Sequence, residues 1–154
     1  MLLRISSLTA LLLALFLTLC PFAYAGFNEN LPDSQTLSQL EIRAQQANPR
    51  DQCFLYTELV HTMTELAAKQ LLDGDTDAAS ATLKKVEHYA QLIHLGLSSD
   101  TKRLKNAEML MHHTAYRLGD LVRAASSEDR PVLTATLKQL DQVQTEILLQ
   151  LFSH

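Results

Sequence analysis

A Glu-x-x-His spacing is the first feature of this chain that could carry chemistry. Glu58 and His61 are three residues apart, so their side chains would share one face of a helix. Di-iron bundles use two such motifs and a glutamate from each of two further helices. A second motif is absent here, because Glu108 and His112 are four residues apart. Glu58 and His61 also lie off the main apolar stripe, which favours a solvent-facing pair over a metal centre.

Methionine and histidine occur together in a second stretch, Met109 to His113. Thioether and imidazole groups are ligands that copper sites use. At helical spacing, however, Met111 points toward the core, His112 flanks it and His113 points nearly away from it. The three side chains can meet at one metal ion only if a second chain contributes. The spacing therefore favours a core methionine with surface histidines.

The sequence contains none of the common catalytic or cofactor motifs. Gly-x-Ser-x-Gly, His-Glu-x-x-His and a phosphate-binding glycine loop are all absent. Cys-x-x-Cys-His, which attaches haem covalently, is missing as well. We therefore predict no catalytic residue, no cofactor and no metal centre. The residues kept as candidates for metal binding are Glu58, His61, Met111, His112 and His113.

Charge and aromatic content argue against several classes of partner. The chain has 13 Lys and Arg against 17 Asp and Glu, and a net charge of −4 disfavours nucleic acid and anionic membranes. It has no Trp and 6% aromatic residues, so stacking surfaces for sugars or bases are scarce. Lys102, Arg103 and Lys105 stand near an expected helix start, where cations oppose the helix dipole. They could face an anionic partner, but a solvated surface explains them more simply.

Composition and periodicity place these residues on helices. Only four prolines and four glycines occur, and apolar residues recur at intervals of three and four, with no strand-like alternation. The four long segments are similar in length and their loops are short, which favours antiparallel neighbours. The predicted fold is all-α, an up-and-down antiparallel helical bundle of four long helices plus a short N-terminal helix. The predicted helix starts are Asp33 or Ser34, Pro49, Asp75 or Thr76, Ser99 or Asp100, and the turn that contains Pro131.

One predicted hairpin carries a resemblance to a known family. Ala67, Gly74, Ala79 and Leu83 match the small, turn-glycine, small and large positions of the tetratricopeptide repeat. From Ala67 to Val86 the chain therefore resembles one tetratricopeptide hairpin, which implies a tight pair of helices. A solenoid needs about three such units, and only one is found. As a whole the chain is similar to exported bacterial helical proteins of unknown function, a resemblance that implies no activity.

The first 25 residues have the pattern of a secretory signal peptide. Arg4 precedes an apolar run from Leu8 to Leu19, and the segment ends at Ala23-Tyr24-Ala25. The run is shorter than the roughly 20 apolar residues that a membrane-spanning helix needs. We expect cleavage after Ala25, and a mature chain that is periplasmic or extracellular and has no membrane span.

The two cysteines bear on two alternative forms of the mature chain, a lipoprotein anchored through Cys20 and a chain cleaved after Ala25. Leu17-Thr18-Leu19-Cys20 resembles a lipobox, so a lipoprotein anchored through Cys20 is the alternative, although Leu19 is not the small residue that motif requires. After cleavage at Ala25, Cys53 is the only thiol left, and we expect it to be buried. The predicted organisation is a signal peptide over 1–25, a flexible segment over 26–32 and a helical bundle domain over 33–154.

The functional expectation is an exported, non-enzymatic helical-bundle protein that acts by contact with another protein. The second helix carries apolar residues beyond its core stripe, among them Val60 and Phe54, and Leu149 and Phe152 leave the stripe of the last helix. Surplus apolar surface of this kind indicates either a central helix or an interface. The alternative is a metal- or haem-binding exported bundle that uses His, Met and Glu side chains.

Overall fold

The chain folds into helices throughout the residues that the structure, a computed structural model, describes: 33–98 and 101–153. These ranges contain five helices and no strand, so the predicted all-α class is confirmed. The predicted signal peptide, the flexible segment and Cys20 lie outside the described residues. The helices are α1 (Ser34–Gln46), α2 (Pro49–Leu72), α3 (Thr76–Gly96), α4 (Leu104–Ala124) and α5 (Arg130–Phe152).

Side-chain caps explain where the first three helices begin. Asp33, Asn48 and Asp75 each accept a backbone N–H from the first turn, at 2.7, 3.0 and 3.1 Å respectively. Pro49 opens α2, where its missing N–H has no helical partner to lose. Gly74 has a φ of 81° between α2 and α3, a conformation that glycine adopts without steric penalty. These boundaries agree with those predicted from the sequence.

The start of α4 differs from the sequence prediction. The capping pattern predicts a start at Ser99 or Asp100, which lie outside the described residues, whereas the helix begins at Leu104. Arg103 has a left-handed backbone, with φ 58°, which costs a non-glycine residue about 1–2 kcal/mol. Its guanidinium lies 3.5 Å from the ring centre of Phe54, and this cation–π contact offsets part of that cost. The helix thus begins directly after a residue whose side chain contacts α2.

The four long helices pack as two antiparallel hairpins, α2–α3 and α4–α5, which lie side by side. Across the hairpins α2 packs on α4 and α3 packs on α5, while α1 covers α2. Within the described ranges α3 and α4 make no contact. The short loops predict that successive helices are neighbours, and this prediction is wrong for the connection between α3 and α4. The physical reason is the path of the link, which passes the start of α2, where the Lys102 N–H donates to the Arg50 carbonyl at 2.8 Å.

The core lies between the two hairpins and confirms the helical phase read from the sequence. Leu59, Met63, Met111 and Leu140 are fully buried there. Gly119 is an exception, because its position four residues after Ala115, near the edge of the apolar stripe, predicts a close approach of two helices. A Cβ added there would meet the Leu137 side chain at 3.9 Å, an ordinary contact, so that expectation is wrong. None of the helices in the described ranges is long and apolar enough to span a bilayer.

Candidate functional site

Polar side chains of several types meet where α2 runs beside α4, a line that we call the α2–α4 seam. His61 Nδ1 lies 3.0 Å from Thr114 Oγ1, and one helical turn further Glu65 Oε1 lies 3.3 Å from Arg117 Nε. Both pairs advance in the same chain direction, by four residues on α2 and three on α4, so the two helices run parallel. The seam therefore brings together residues that are more than 50 positions apart in the sequence.

Hydrogen bonds assign the tautomer of His61. The Thr114 hydroxyl donates its only proton to the Leu110 carbonyl at 2.7 Å, so its oxygen can only accept from the imidazole. On this basis we assign the proton to His61 Nδ1, which donates it to Thr114. In the neutral ring this leaves Nε2 with a free lone pair.

Burial keeps the His61 ring in this neutral form. Desolvation lowers the pKa of His61 below its ordinary value, because the charged imidazolium loses hydration. The Glu65 carboxylate acts in the opposite direction but is outweighed, and charge on His113 and Arg117 lowers the pKa of His61 further. A half-buried imidazole with an available lone pair can bind a metal ion or accept a proton.

His113 is the nearest aromatic neighbour of His61 across the seam. Their ring centres are 5.6 Å apart and the ring planes are inclined by 55°. His113 is exposed, as its helical phase predicts. His61 was expected to face solvent, but it is half-buried. The sequence motifs placed these two histidines in separate candidate groups, and only the parallel packing of α2 on α4 pairs them.

Two surface grooves reach the histidine pair from opposite sides. The first has a volume of about 430 Å³ and lies under α1, with Arg43, Glu58 and His61 among its lining side chains. The second has a volume of about 400 Å³ and is lined in part by Met109 and His113. Leu110 lines both grooves, so the two imidazoles stand at their junction.

No family model, curated protein or solved structure matches the chain. The tetratricopeptide-like hairpin and the similarity to exported bacterial helical proteins therefore stay predictions. The function of the seam has to be inferred from its own residues.

The structure separates the other candidates for metal binding. Met111 is buried in the core, as predicted, and offers no surface ligand. His112 faces α5, where its Nδ1 lies 3.0 Å from Gln144 Nε2. Glu58 lines the first groove and is half-buried. In the described part of the chain no three His, Cys, Asp or Glu side chains converge as a metal centre would require.

The remaining buried polar groups offer no further site. Every buried side-chain nitrogen and oxygen in the described ranges has a hydrogen-bond partner. Cys53 is buried, as predicted, and burial raises the pKa of its thiol to about 12. A thiol of this kind is protonated near neutral pH and is a poor nucleophile and metal ligand. Sequence reasoning missed Thr114 and Arg117, because their partners become visible only when α2 and α4 are placed side by side.

Proposed function

We propose that this protein is an exported, non-enzymatic helical bundle that acts by contact with another protein. Support comes from three exposed apolar side chains at one end of the molecule, which we call the α3–α5 end. Leu95, Leu149 and Phe152 are 69%, 66% and 82% exposed. The ends of α3 and α5 lie beside each other there, since His94 Nδ1 is 2.6 Å from Glu146 Oε2. Several large apolar groups exposed at the same end of a helix pair are typical of an interaction surface.

The surplus apolar residues of α2 do not contribute to this proposal. Cys53, Phe54, Val60 and Ala67 are buried, because α1, α3 and α4 cover the helix on three sides. The interpretation of α2 as a central helix therefore accounts for them. Of the surplus apolar residues that the sequence singled out, Leu149 and Phe152 of α5 are the most exposed.

The bundle that we propose consists of the two hairpins side by side, with α1 as a cover. The tetratricopeptide-like hairpin would be the first of the two, and its Gly74 conformation and buried Ala67 and Ala79 are consistent with that resemblance. Export rests on the signal-peptide pattern of residues 1–25. The absence of a catalytic motif supports a role without an enzymatic step.

A metal or haem carrier is the competing function. Its proposed ligands are Glu58, His61, Met111, His112 and His113, of which Met111 lies in the core and His112 lies against α5. Metal analysis of untagged protein from the exported fraction distinguishes the two functions. Metal at one ion per chain that survives dialysis would contradict the contact function. Metal-free protein whose stability is unchanged by a chelator would contradict the carrier.

The contact function is tested by capture from the exported fraction with purified chain as bait. The Leu149→Ser/Phe152→Ser variant is expected to lose a discrete partner that the wild type retains. Ile42→Ser is the matched control, because Ile42 is another exposed apolar residue and lies on a different helix, α1. Identical captured proteins for all three baits would contradict the proposal.

A further inference from the structure

We infer that His61 and His113 together form an open binding site for a divalent transition metal ion, with Zn²⁺ as the probe. The site lies at the α2–α4 seam and uses one imidazole from each helix. This inference goes beyond the proposed contact function, which concerns the opposite pair of helices, and the open two-ligand site is expected to lose its metal on dialysis. It also differs from a metal carrier with a full ligand set, because the protein contributes only two ligands.

The separation of the two rings matches what one metal ion requires. With a Zn–N distance of about 2.0–2.1 Å, each imidazole centre lies about 3.2 Å from the metal, so two rings on a tetrahedral ion have centres roughly 5–5.5 Å apart. The observed separation between His61 and His113 is 5.6 Å. The distance between the two ring centres is therefore compatible with both imidazoles binding one ion.

His61 already has the arrangement that a metal-binding histidine needs. Such histidines hold the proton on one ring nitrogen and donate it to a fixed acceptor, so that the other nitrogen faces the metal. Here Thr114 Oγ1 is that acceptor for Nδ1, at 3.0 Å, and its own proton is committed to the Leu110 carbonyl. Thr114 is thus a positioning residue, and Nε2 of His61 is the ligand atom.

Access and charge are compatible with an ion at this point. His61 lines one groove and His113 the other, so water can reach the pair and fill the remaining coordination positions. The nearby Glu65 and Arg117 carry opposite charges and are 3.3 Å apart, so their fields largely cancel at the site. Imidazole is a preferred ligand of Zn²⁺, Cu²⁺ and Ni²⁺ and does not select Mg²⁺ or Ca²⁺.

The test is a Zn²⁺ titration of untagged, chelator-stripped protein, followed by calorimetry and by NMR of the imidazole nitrogens. We expect one site per chain, with His61 Nε2 and the His113 ring shifting together while Nδ1–H of His61 stays protonated. Thr114→Val, which removes the acceptor but keeps the shape, is expected to weaken Zn²⁺ binding by about 10–100-fold. Mg²⁺ at the same concentration is expected to shift neither ring.

The exposed histidines provide a matched pair of variants that should not disturb the fold. His113→Ala is expected to remove the joint shift and the calorimetric site. His112→Ala removes the adjacent histidine, which faces α5, and should bind Zn²⁺ as the wild type does. Zn²⁺ binding that survives His113→Ala, or that falls equally in both variants, would overturn the inference. So would a titration in which the His61 resonances do not move.

Discussion

Helices α2 and α5 are nearly equal in length, 24 and 23 residues, yet their surroundings differ. α2 lies between α1, α3 and α4 and buries ten side chains, whereas α5 packs on α3 and α4 and buries five. Most apolar residues outside the core stripe of α2 are therefore covered, with Leu72 at the helix end as the exception, whereas Leu149 and Phe152 of α5 are exposed. Apolar residues outside the core stripe of a helix indicate an interface only where too few neighbouring helices are present to cover them.

The number of neighbouring helices also affects how far the polar side chains of α2 and α5 are buried. His61 lies on the central helix, so its ring is enclosed by α4 and its pKa is lowered by desolvation. Glu146 on α5 contacts His94 at an exposed position near the molecular end. The central helix thus holds the neutral imidazole of His61, whereas the end of α5 carries the exposed apolar side chains Leu149 and Phe152.

The largest expected difference between the two helices is in thiol reactivity. Cys53 on α2 is 2% exposed and the pKa of its thiol is raised to about 12, so it should react only when the protein unfolds. Reaction with a water-soluble thiol reagent is then slowed by the folding equilibrium, on the order of 10³-fold or more. The measurement is the labelling rate in native buffer and in denaturant.

A control for this prediction is Leu149→Cys in a Cys53→Ala background. Because position 149 is exposed, that thiol should react at a similar rate in both conditions. Fast native labelling of Cys53, or a disulfide-linked dimer of the wild type on a non-reducing gel, would contradict the burial of α2.

The next effect is a difference in stability between two leucines of α5. Leu140 is fully buried, so Leu140→Ala should lower the free energy of unfolding by about 2–5 kcal/mol. Leu149 is exposed, so Leu149→Ala should change it by less than about 0.5 kcal/mol. Urea denaturation of both variants measures the difference. Equal losses would mean that Leu149 is covered by a partner or by a second copy of the chain.

The sequence predicted most of the local structure because caps and apolar stripes act over a few residues. Asp33, Pro49 and Asp75 each mark a helix start for a local reason, and the phase of Leu140 against Leu149 follows from helical geometry alone. The start of α4 was missed where Arg103 has a left-handed backbone and its side chain contacts Phe54 on another helix. Long-range contacts of this kind leave no local pattern.

The candidate site was only partly predictable for the same reason. His61 and His113 were both recognised as candidates, but their pairing depends on α2 and α4 being parallel neighbours. Short loops favour antiparallel packing of successive helices, and that rule does not predict the path of the link between α3 and α4. Thr114, a hydroxyl within a helix, carries no sequence signal for its role beside His61.

A smaller effect is expected in the pH dependence of stability. The pKa of His61 is lowered in the folded protein, so the unfolded chain binds a proton more readily as the pH falls through about 6.5. The contribution of His61 to stability is therefore complete above that pH and decreases below it. The decrease is about 1.4 kcal/mol for each unit by which the folded pKa lies below the unfolded value.

This pH effect is measured by comparing the wild type with His61→Asn, which keeps a donor near the Thr114 hydroxyl but does not titrate. In the presence of chelator, the free energy of unfolding of the wild type relative to the variant should fall between pH 8 and pH 5. A difference that stays constant or grows at acidic pH would show that the seam does not desolvate His61.

The smallest effect concerns the contact between α4 and α5. Gly119 lies inside α4 with room for a Cβ, so Gly119→Ala should raise the free energy of unfolding by up to about 1 kcal/mol. Gly74→Ala is the matched control and should lower it, because Gly74 has a φ of 81°. Thermal melts compare the two. Destabilisation by Gly119→Ala would contradict this prediction and would support the close helix approach that the sequence predicts.

The contact function at the α3–α5 end is tested most directly by site-specific photo-crosslinking in the producing cell. A photo-reactive phenylalanine analogue replaces Leu149 in one strain and Ile42 in another, since both side chains are exposed and lie on different helices. The proposal predicts a discrete covalent adduct with another protein from position 149 and none from position 42. An absence of adducts at position 149, or the same adducts from both positions, would contradict it.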